Sequence, residues 1–288
     1  MNDEHVFDLT QLGEHYNYTR ICCPLSITCT SCDGDSSRHK SYFALDKCNI
    51  SQNDVYLGSV PCCSASLIKH GERYLATIIV KKLFDLDQSI DLMDDYSKFF
   101  SYFLARDEYN PHNGVPLFAY DFMEIDVRYG TSIDNCAKKM FLTRGKVTST
   151  STSKPWTFEH ALPSVPYSMD KQRMFLNAMA KNDVFAKFIH FYSFFDKISG
   201  LTEYHNLKKT LASSDLALLQ VLSNAGISQI KPLIGEEKSI TEDTIANIRR
   251  IRNRVYHAGK DDSDVHRVLY EYLLPIIKQI VESDYFEL

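Results

Sequence analysis

Ile248-Arg249-Arg250-Ile251-Arg252-Asn253-Arg254-Val255-Tyr256-His257-Ala258-Gly259 is the stretch that decides how the second half of this 288-residue chain is read. Ile245, Ile248, Ile251 and Val255 recur at helical spacing and form a narrow apolar stripe. Arg249, Arg252, Asn253, Tyr256 and His257 fall on the other side. The spacing predicts one amphipathic helix over about 241–258. Ser239-Ile240-Thr241-Glu242 fits a capping box at its start, and Gly259 stands where a left-handed cap would end it.

The flanking sequence has the same period. Lys171 to Ile198 reads as one long helix carrying Phe175, Phe185, Phe188, Phe191, Phe194 and Phe195, ended near Gly200. Asn206–Asn224 holds one or two helices, followed by Gly226. Asp264 is placed to cap a last helix whose core positions run from Val265 to Ile280, with Pro275 expected to kink it. Helices joined by short connections make a bundle, expected over residues 169–288.

Within that bundle, Arg252-Asn253-x-x-x-His257 resembles the signature of the HEPN superfamily: an arginine, a small polar residue, then a histidine four to six residues beyond the arginine. Its place on the third helix of a four-helix unit is also where the family carries it. The resemblance covers roughly the last 120 residues and implies a metal-independent endoribonuclease that works as a dimer with a shared cleft. Asn253 would then hold His257 or a phosphate oxygen. The resemblance further implies an acidic partner on the first helix, where family members often carry glutamate and this chain offers Asp196.

The residue types suit that chemistry. RNA is cut without a metal when its own 2′-hydroxyl attacks the adjacent phosphate. That step needs a base, an acid for the leaving 5′-oxygen, and positive charge on the phosphorane oxygens. Histidine, with a reference pKa of about 6.5, suits proton transfer, and the planar arginine fork suits the charge. At a helix end, His257 also feels the negative pole of the helix dipole, which favours imidazolium. Five residues along a helix correspond to about 140° of rotation and a rise of ~7.5 Å, so Arg252 and His257 do not stack on each other. One helix also offers one histidine where the reaction uses an acid and a base. Both points favour two motif helices facing each other, hence a homodimer. The plainer readings are a solvated face for Arg249, Arg250 and Arg254, packing for Tyr256 and a helix cap for His257.

Residues 1–147 read differently. Tyr74, Ala76, Ile78 and Val80 alternate with Arg73, Leu75, Thr77 and Ile79 in a largely apolar run, as in a central strand. Tyr42–Leu45, Asp54–Val60 and Leu117–Val127 are further strand candidates. Met140–Thr143 and Lys146–Thr148 are expected to pair across Arg144-Gly145. Asp94–Arg106 suits either a helix or a buried strand. Short strands with polar turns favour a sandwich or barrel-like domain. Thr148-Ser149-Thr150-Ser151-Thr152-Ser153-Lys154-Pro155, with Pro163 and Pro166 beyond it, has linker composition over 148–168. The fold class expected is therefore α+β: a mostly-β N-terminal domain, then a C-terminal helical bundle of HEPN type.

Composition sets limits. The net charge is −5, with 16 Lys+Arg against 21 Asp+Glu up to residue 168 and 16 of each beyond it. That argues against a protein that coats nucleic acid nonspecifically, so RNA affinity must come from the four arginines between 249 and 254. No run approaches ~18 apolar residues, so no membrane span is expected. The acidic start Met1-Asn2-Asp3-Glu4-His5 does not read as a signal peptide, and a cytoplasmic protein is expected. All eight cysteines lie in the first half. Cys29-x-x-Cys32 is the one metal-like pair, which Cys48, Cys62, Cys63 or His39 would have to complete. The loose spacing favours small buried thiols on strands instead. Asp33-Gly34-Asp35-Ser36-Ser37 and the acidic run Asp85 to Asp95 both fail the calcium-loop template. No Walker A loop and no GxGxxG occurs, so neither metal nor cofactor is expected.

Two functional readings follow. The first is an endoribonuclease that acts as a toxin or antiviral, abortive-infection effector on RNA. Its N-terminal domain would receive a protein trigger or inhibitor. The alternative is a non-catalytic HEPN-like module that dimerises or binds nucleotides, with a partner-binding N-terminal domain.

Overall fold

A computed structural model of the chain describes residues 9, 15–30, 41–71, 73–108, 115–121, 124–136, 138–139, 151–158, 160–181, 183–211, 213–232, 236–257 and 262–288. The chain divides between Met169 and Asp170 into two compact units. The architecture is α+β, a curled sheet followed by helices.

The N-terminal unit is built on β1 (Tyr18–Thr30), β2 (Ser41–Leu57), β3 (Val60–His70), β4 (Arg73–Val80), α1 (Leu86–Glu108), β5 (Val115–Tyr120), β6 (Asp126–Gly130), β7 (Lys138–Lys139) and β8 (Ser151–Phe158). The strands form one sheet in the order β7-β6-β1-β4-β3-β2-β8, with β5 also on β1. Where β1 meets the start of β2 (Thr28↔Tyr42, Cys29↔Ser41), the sheet curls back on itself. This is one curled sheet rather than a two-sheet sandwich. Alternation on β1 turns Ile21, Cys23, Leu25 and Ile27 inward, each at most 1% exposed. They meet the α1 face that carries Met93, Tyr96, Phe100 and Leu104.

Several strand expectations change. The alternating run Arg73–Val80 is β4, hydrogen-bonded to β1 and β3 on its two sides. Leu117–Val127 is two strands, β5 and β6, both paired with β1. On that flank β1 pairs with β6 up to Cys22 and with β5 from Leu25. Pro24, which has no N–H to donate, sits at the changeover. Asp94–Arg106 is helical, within α1. The acid at its start is a cap: Gln88 N–H donates to Asp85 Oδ1 (2.8 Å) and Asp85 N–H to Gln88 Oε1 (3.2 Å). The proposed pairing of Met140–Thr143 with Lys146–Thr148 lies outside the described residues.

The stretch expected as a linker belongs to the sheet. β8 runs parallel to β2, from Tyr42↔Ser151 to Cys48↔Phe158. Beyond it, Tyr56 N–H donates to Pro163 O (2.8 Å), Tyr167 N–H to Gly58 O (3.0 Å), and Leu162 is 4% exposed. A strand laid on a sheet edge is held by backbone hydrogen bonds, so a Ser/Thr-rich segment serves as well as an apolar one. Pro155 is tolerated on such an edge for the same reason that it is excluded from a central strand.

The second unit contains α2 (Asp170–Met179), α3 (Val184–Ser199), α4 (Thr202–Thr210), α5 (Ser214–Asn224), a small pair β9 (Gln229–Ile230) and β10 (Lys238–Ser239), then α6 (Glu242–His257), α7 (Asp262–Val268), a π-helical turn Leu269–Leu273, and α8 (Leu274–Glu282). The long helix expected over Lys171–Ile198 is broken. Asp183 caps α3 by accepting the Ala186 N–H at 2.9 Å, and an aspartate that can bond nearby backbone favours a new start over continuation. Phe175, Phe188, Phe191, Phe194 and Phe195 form the centre of the core, all at most 1% exposed. Asp264 lies within α7 rather than capping it. The disturbance from Pro275 falls in the π-helical turn, since a proline clashes with the carbonyl four residues earlier, here Glu271. Among the described residues, no helix is long and apolar enough to cross a membrane.

Candidate functional site

The site is built on the last two turns of α6. Its apolar stripe is buried: Ile245, Ile248 and Ile251 are at most 1% exposed. The start of the helix departs from the sequence reading. Thr241 and Thr244 cap each other, with Thr244 N–H donating to Thr241 Oγ1 (3.3 Å) and Thr241 N–H to Thr244 Oγ1 (3.2 Å). Ser239 is committed to β10, and Glu242 accepts instead from the Ser213 hydroxyl at the head of α5. Gly259 lies outside the described residues.

The four arginines do not form one undivided positive cluster. Arg249 pairs at 2.7 Å with Asp215, in the first turn of α5, whose side chain is only 8% exposed. Burial pushes the Asp215 carboxyl up, Arg249 pulls it down, and nearby Glu242 adds to the rise. Arg254 donates to Asp264 at 3.0 Å, and that bond is the leading reason the Asp264 carboxyl is held low. Arg250 donates to Asn247 one turn back at 2.6 Å.

Arg252, like Arg250, pairs with no carboxylate among the described residues, but it lies against two aromatic rings. Its guanidinium carbon lies 4.6 Å from the ring centre of Tyr256 and 5.4 Å from that of Tyr192 on α3. Both distances are in the range of cation–π attraction. Nη1 donates to Asn253 Oδ1 at 3.1 Å, and Nε is buried without a hydrogen-bond partner among the described residues. Asn253 Oδ1 thus engages Arg252. His257 is the last residue of α6 and its side chain lies outside the described residues. Tyr256 is 58% exposed.

Asp196 is exposed on α3, one turn beyond Tyr192. Among the described residues no ion pair joins it to Arg252. The two charges meet at Tyr192, whose phenol is raised mainly by burial and then by Asp196, and lowered by Arg252 and Arg249. Tyr192 and Asp215 therefore belong to this neighbourhood, although the sequence reading passed over both. Tyr192 was hidden in an aromatic-rich helix. Its one signal was its place four residues before Asp196.

Among the described residues no three His, Cys, Asp or Glu come together in a way that could hold an ion. Burial pushes the thiols of Cys23, Cys48 and Cys62 up to about 12, so they are protonated at neutral pH. The Cys29 side chain, Cys32 and Asp33–Ser37 lie outside the described residues. The N-terminal unit has a groove of about 620 Å³ between the β2–β3 turn and the end of β4, lined by Tyr56, Pro61, Cys63 and Lys81 among others.

Comparison of the chain with protein-family models, with curated proteins and with solved structures finds no match in any of the three.

Proposed function

We propose that the chain is a metal-independent endoribonuclease of HEPN type, with Arg252, Asn253 and His257 as its reacting set and Asp196 as the acidic neighbour. One observation carries the reading: Arg252, five residues before His257, pairs with no carboxylate among the described residues and is held in place by two rings and Asn253. A cation that is held in place and not neutralised is what a developing phosphorane charge requires. Arg249 and Arg254, whose charges are matched by Asp215 and Asp264, tune the field around it. His257 moves the proton, to or from the 2′-hydroxyl or the leaving 5′-oxygen. A second copy supplies the other histidine, making the working form a homodimer with a shared cleft. The setting is a cytoplasmic toxin or antiviral effector, whose N-terminal unit answers to a protein trigger or inhibitor.

Incubating purified protein with total RNA or tRNA in EDTA tests this. Cleavage is expected to leave a 2′,3′-cyclic phosphate or the 3′-phosphate derived from it, and to disappear in His257→Ala and Arg252→Ala while the fold persists. Strict magnesium dependence would sink the mechanism. The exposed Tyr256, backed by a cation, also suits stacking on a nucleotide base without cutting. That second reading, a nucleotide-binding HEPN-like module, predicts RNA binding that depends on Tyr256 and leaves RNA intact.

A further inference from the structure

Tyr192 reaches the motif from α3, 60 residues away in sequence. Its ring is anchored from behind. It stacks on Phe188 with centres 6.5 Å apart and planes at 20°, and meets Phe195 edge to face at 5.7 Å and 63°. Phe188 and Phe195 are 0% and 1% exposed, so both anchors belong to the core of the helical unit. The Tyr192 ring also meets the Arg252 guanidinium. Burial keeps the phenol protonated at neutral pH, so the attraction comes from the ring face and not from a phenolate.

We infer that Tyr192 is a positioning residue for Arg252: a core-anchored ring that holds the guanidinium in one orientation and presents its N–H edge to the RNA phosphate. The last step rests on the nuclease reading; the clamp does not. An arginine left free samples many rotamers and must be ordered each time it meets an oxyanion. One already ordered against Tyr192, Tyr256 and Asn253 spares that cost. The buried Nε, closed to solvent, fixes which edges are free: what remains of Nη1 beside its bond to Asn253, and Nη2.

The test uses the full chain with Tyr192→Phe, which keeps the ring, and Tyr192→Leu, which keeps apolar volume against Phe188 but has no ring face. The first readout is the Arg252 Nε–Hε signal in nitrogen-15 NMR. It is expected to be rigid and slow to exchange in wild type and in Tyr192→Phe, and mobile in Tyr192→Leu. A mobile, fast-exchanging signal in wild type overturns the clamp without any variant, as does an unchanged signal in a folded Tyr192→Leu. The second readout is RNA cleavage in EDTA. Tyr192→Leu should lower kcat about 10- to 100-fold with KM within about threefold, and Tyr192→Phe should stay within about threefold of wild type. Equal kcat in all single variants overturns the positioning role. Wild-type protein that leaves RNA intact overturns the nuclease reading and this catalytic consequence together, while the NMR comparison still decides the clamp.

Discussion

The pair Arg249–Asp215 should respond unequally to loss of its two partners. Asp215 is 8% exposed and Arg249 48%, so the carboxylate has given up most of its water and the guanidinium has not. Arg249→Ala strands a desolvated carboxylate beside Glu242. Leaving a buried charged group unmatched costs about 1–3 kcal/mol or more, and a fully buried pair about 3–5. Solvent screening of the half-exposed arginine puts this case near 2 kcal/mol. Asp215→Asn removes the charge that burial disfavours and lets Arg249 hydrate, so it should cost less than about 1 kcal/mol. With an m-value of about 1.5 kcal/mol/M, the urea midpoint of the helical unit, followed by circular dichroism, should fall by about 1.3 M in Arg249→Ala and by less than half of that in Asp215→Asn.

The pH dependence has a definite sign. Asp215 has a folded-state pKa above its unfolded value, so its contribution favours the fold when protonated and is lost as pH rises through the folded pKa. Removing Arg249 removes the influence that lowers that pKa. The Arg249→Ala deficit should therefore be large at pH 7 and shrink as pH falls through the raised folded-state pKa, where the carboxyl takes up its proton. Equal losses in the two variants, or a deficit that ignores pH, would refute this account.

Other outcomes follow from the same geometry. Gly130→Ala places a Cβ 2.2 Å from the Asn135 carbonyl oxygen, a backbone clash at the end of β6 expected to destabilise the N-terminal unit by about 3 kcal/mol; a melting point equal to wild type would contradict it. At pH 8 without denaturant, thiols pushed to about 12 are ionised to about one part in ten thousand, so peptide mass mapping after alkylation should find Cys23, Cys48 and Cys62 unmodified. Rapid labelling of Cys48 in folded protein would count against its burial. Light scattering on the His257→Ala protein should detect a homodimer that tightens with a noncleavable RNA or phosphate-like anions, because Arg250 and Arg252, which no carboxylate matches among the described residues, repel their copies across a two-fold axis. A monomer at micromolar concentration that still cuts RNA at a rate linear in protein would contradict the shared cleft.

What the sequence determined by itself was local. The period of Ile245, Ile248 and Ile251 made α6 legible, and the apolar alternation of Arg73–Val80 made β4 legible, because each pattern repeats over neighbouring residues that share one face. The change from strand period to helical period announced an α+β chain. β1 escaped, although Ile21, Cys23, Leu25 and Ile27 alternate on it, because paired cysteines and Pro24 blur the apolar signal. β8 was read as linker because an edge strand is recruited by the free backbone of β2, 109 residues upstream at Tyr42↔Ser151, and needs no apolar side chains to be held there.

The candidate site divides along the same line. Arg252, Asn253 and His257 share a helix, so their spacing was visible in the sequence. Which arginines are matched by a carboxylate, and which is braced by rings, was not visible. Arg249 is neutralised by Asp215 from α5, while Arg252 is braced by Tyr192 from α3, partners 34 and 60 residues distant. Neither separation repeats or aligns with any helical period. Only the packing of α3 and α5 against α6 brings those side chains within reach, and charge and cation–π interactions depend on distance in space, not along the chain.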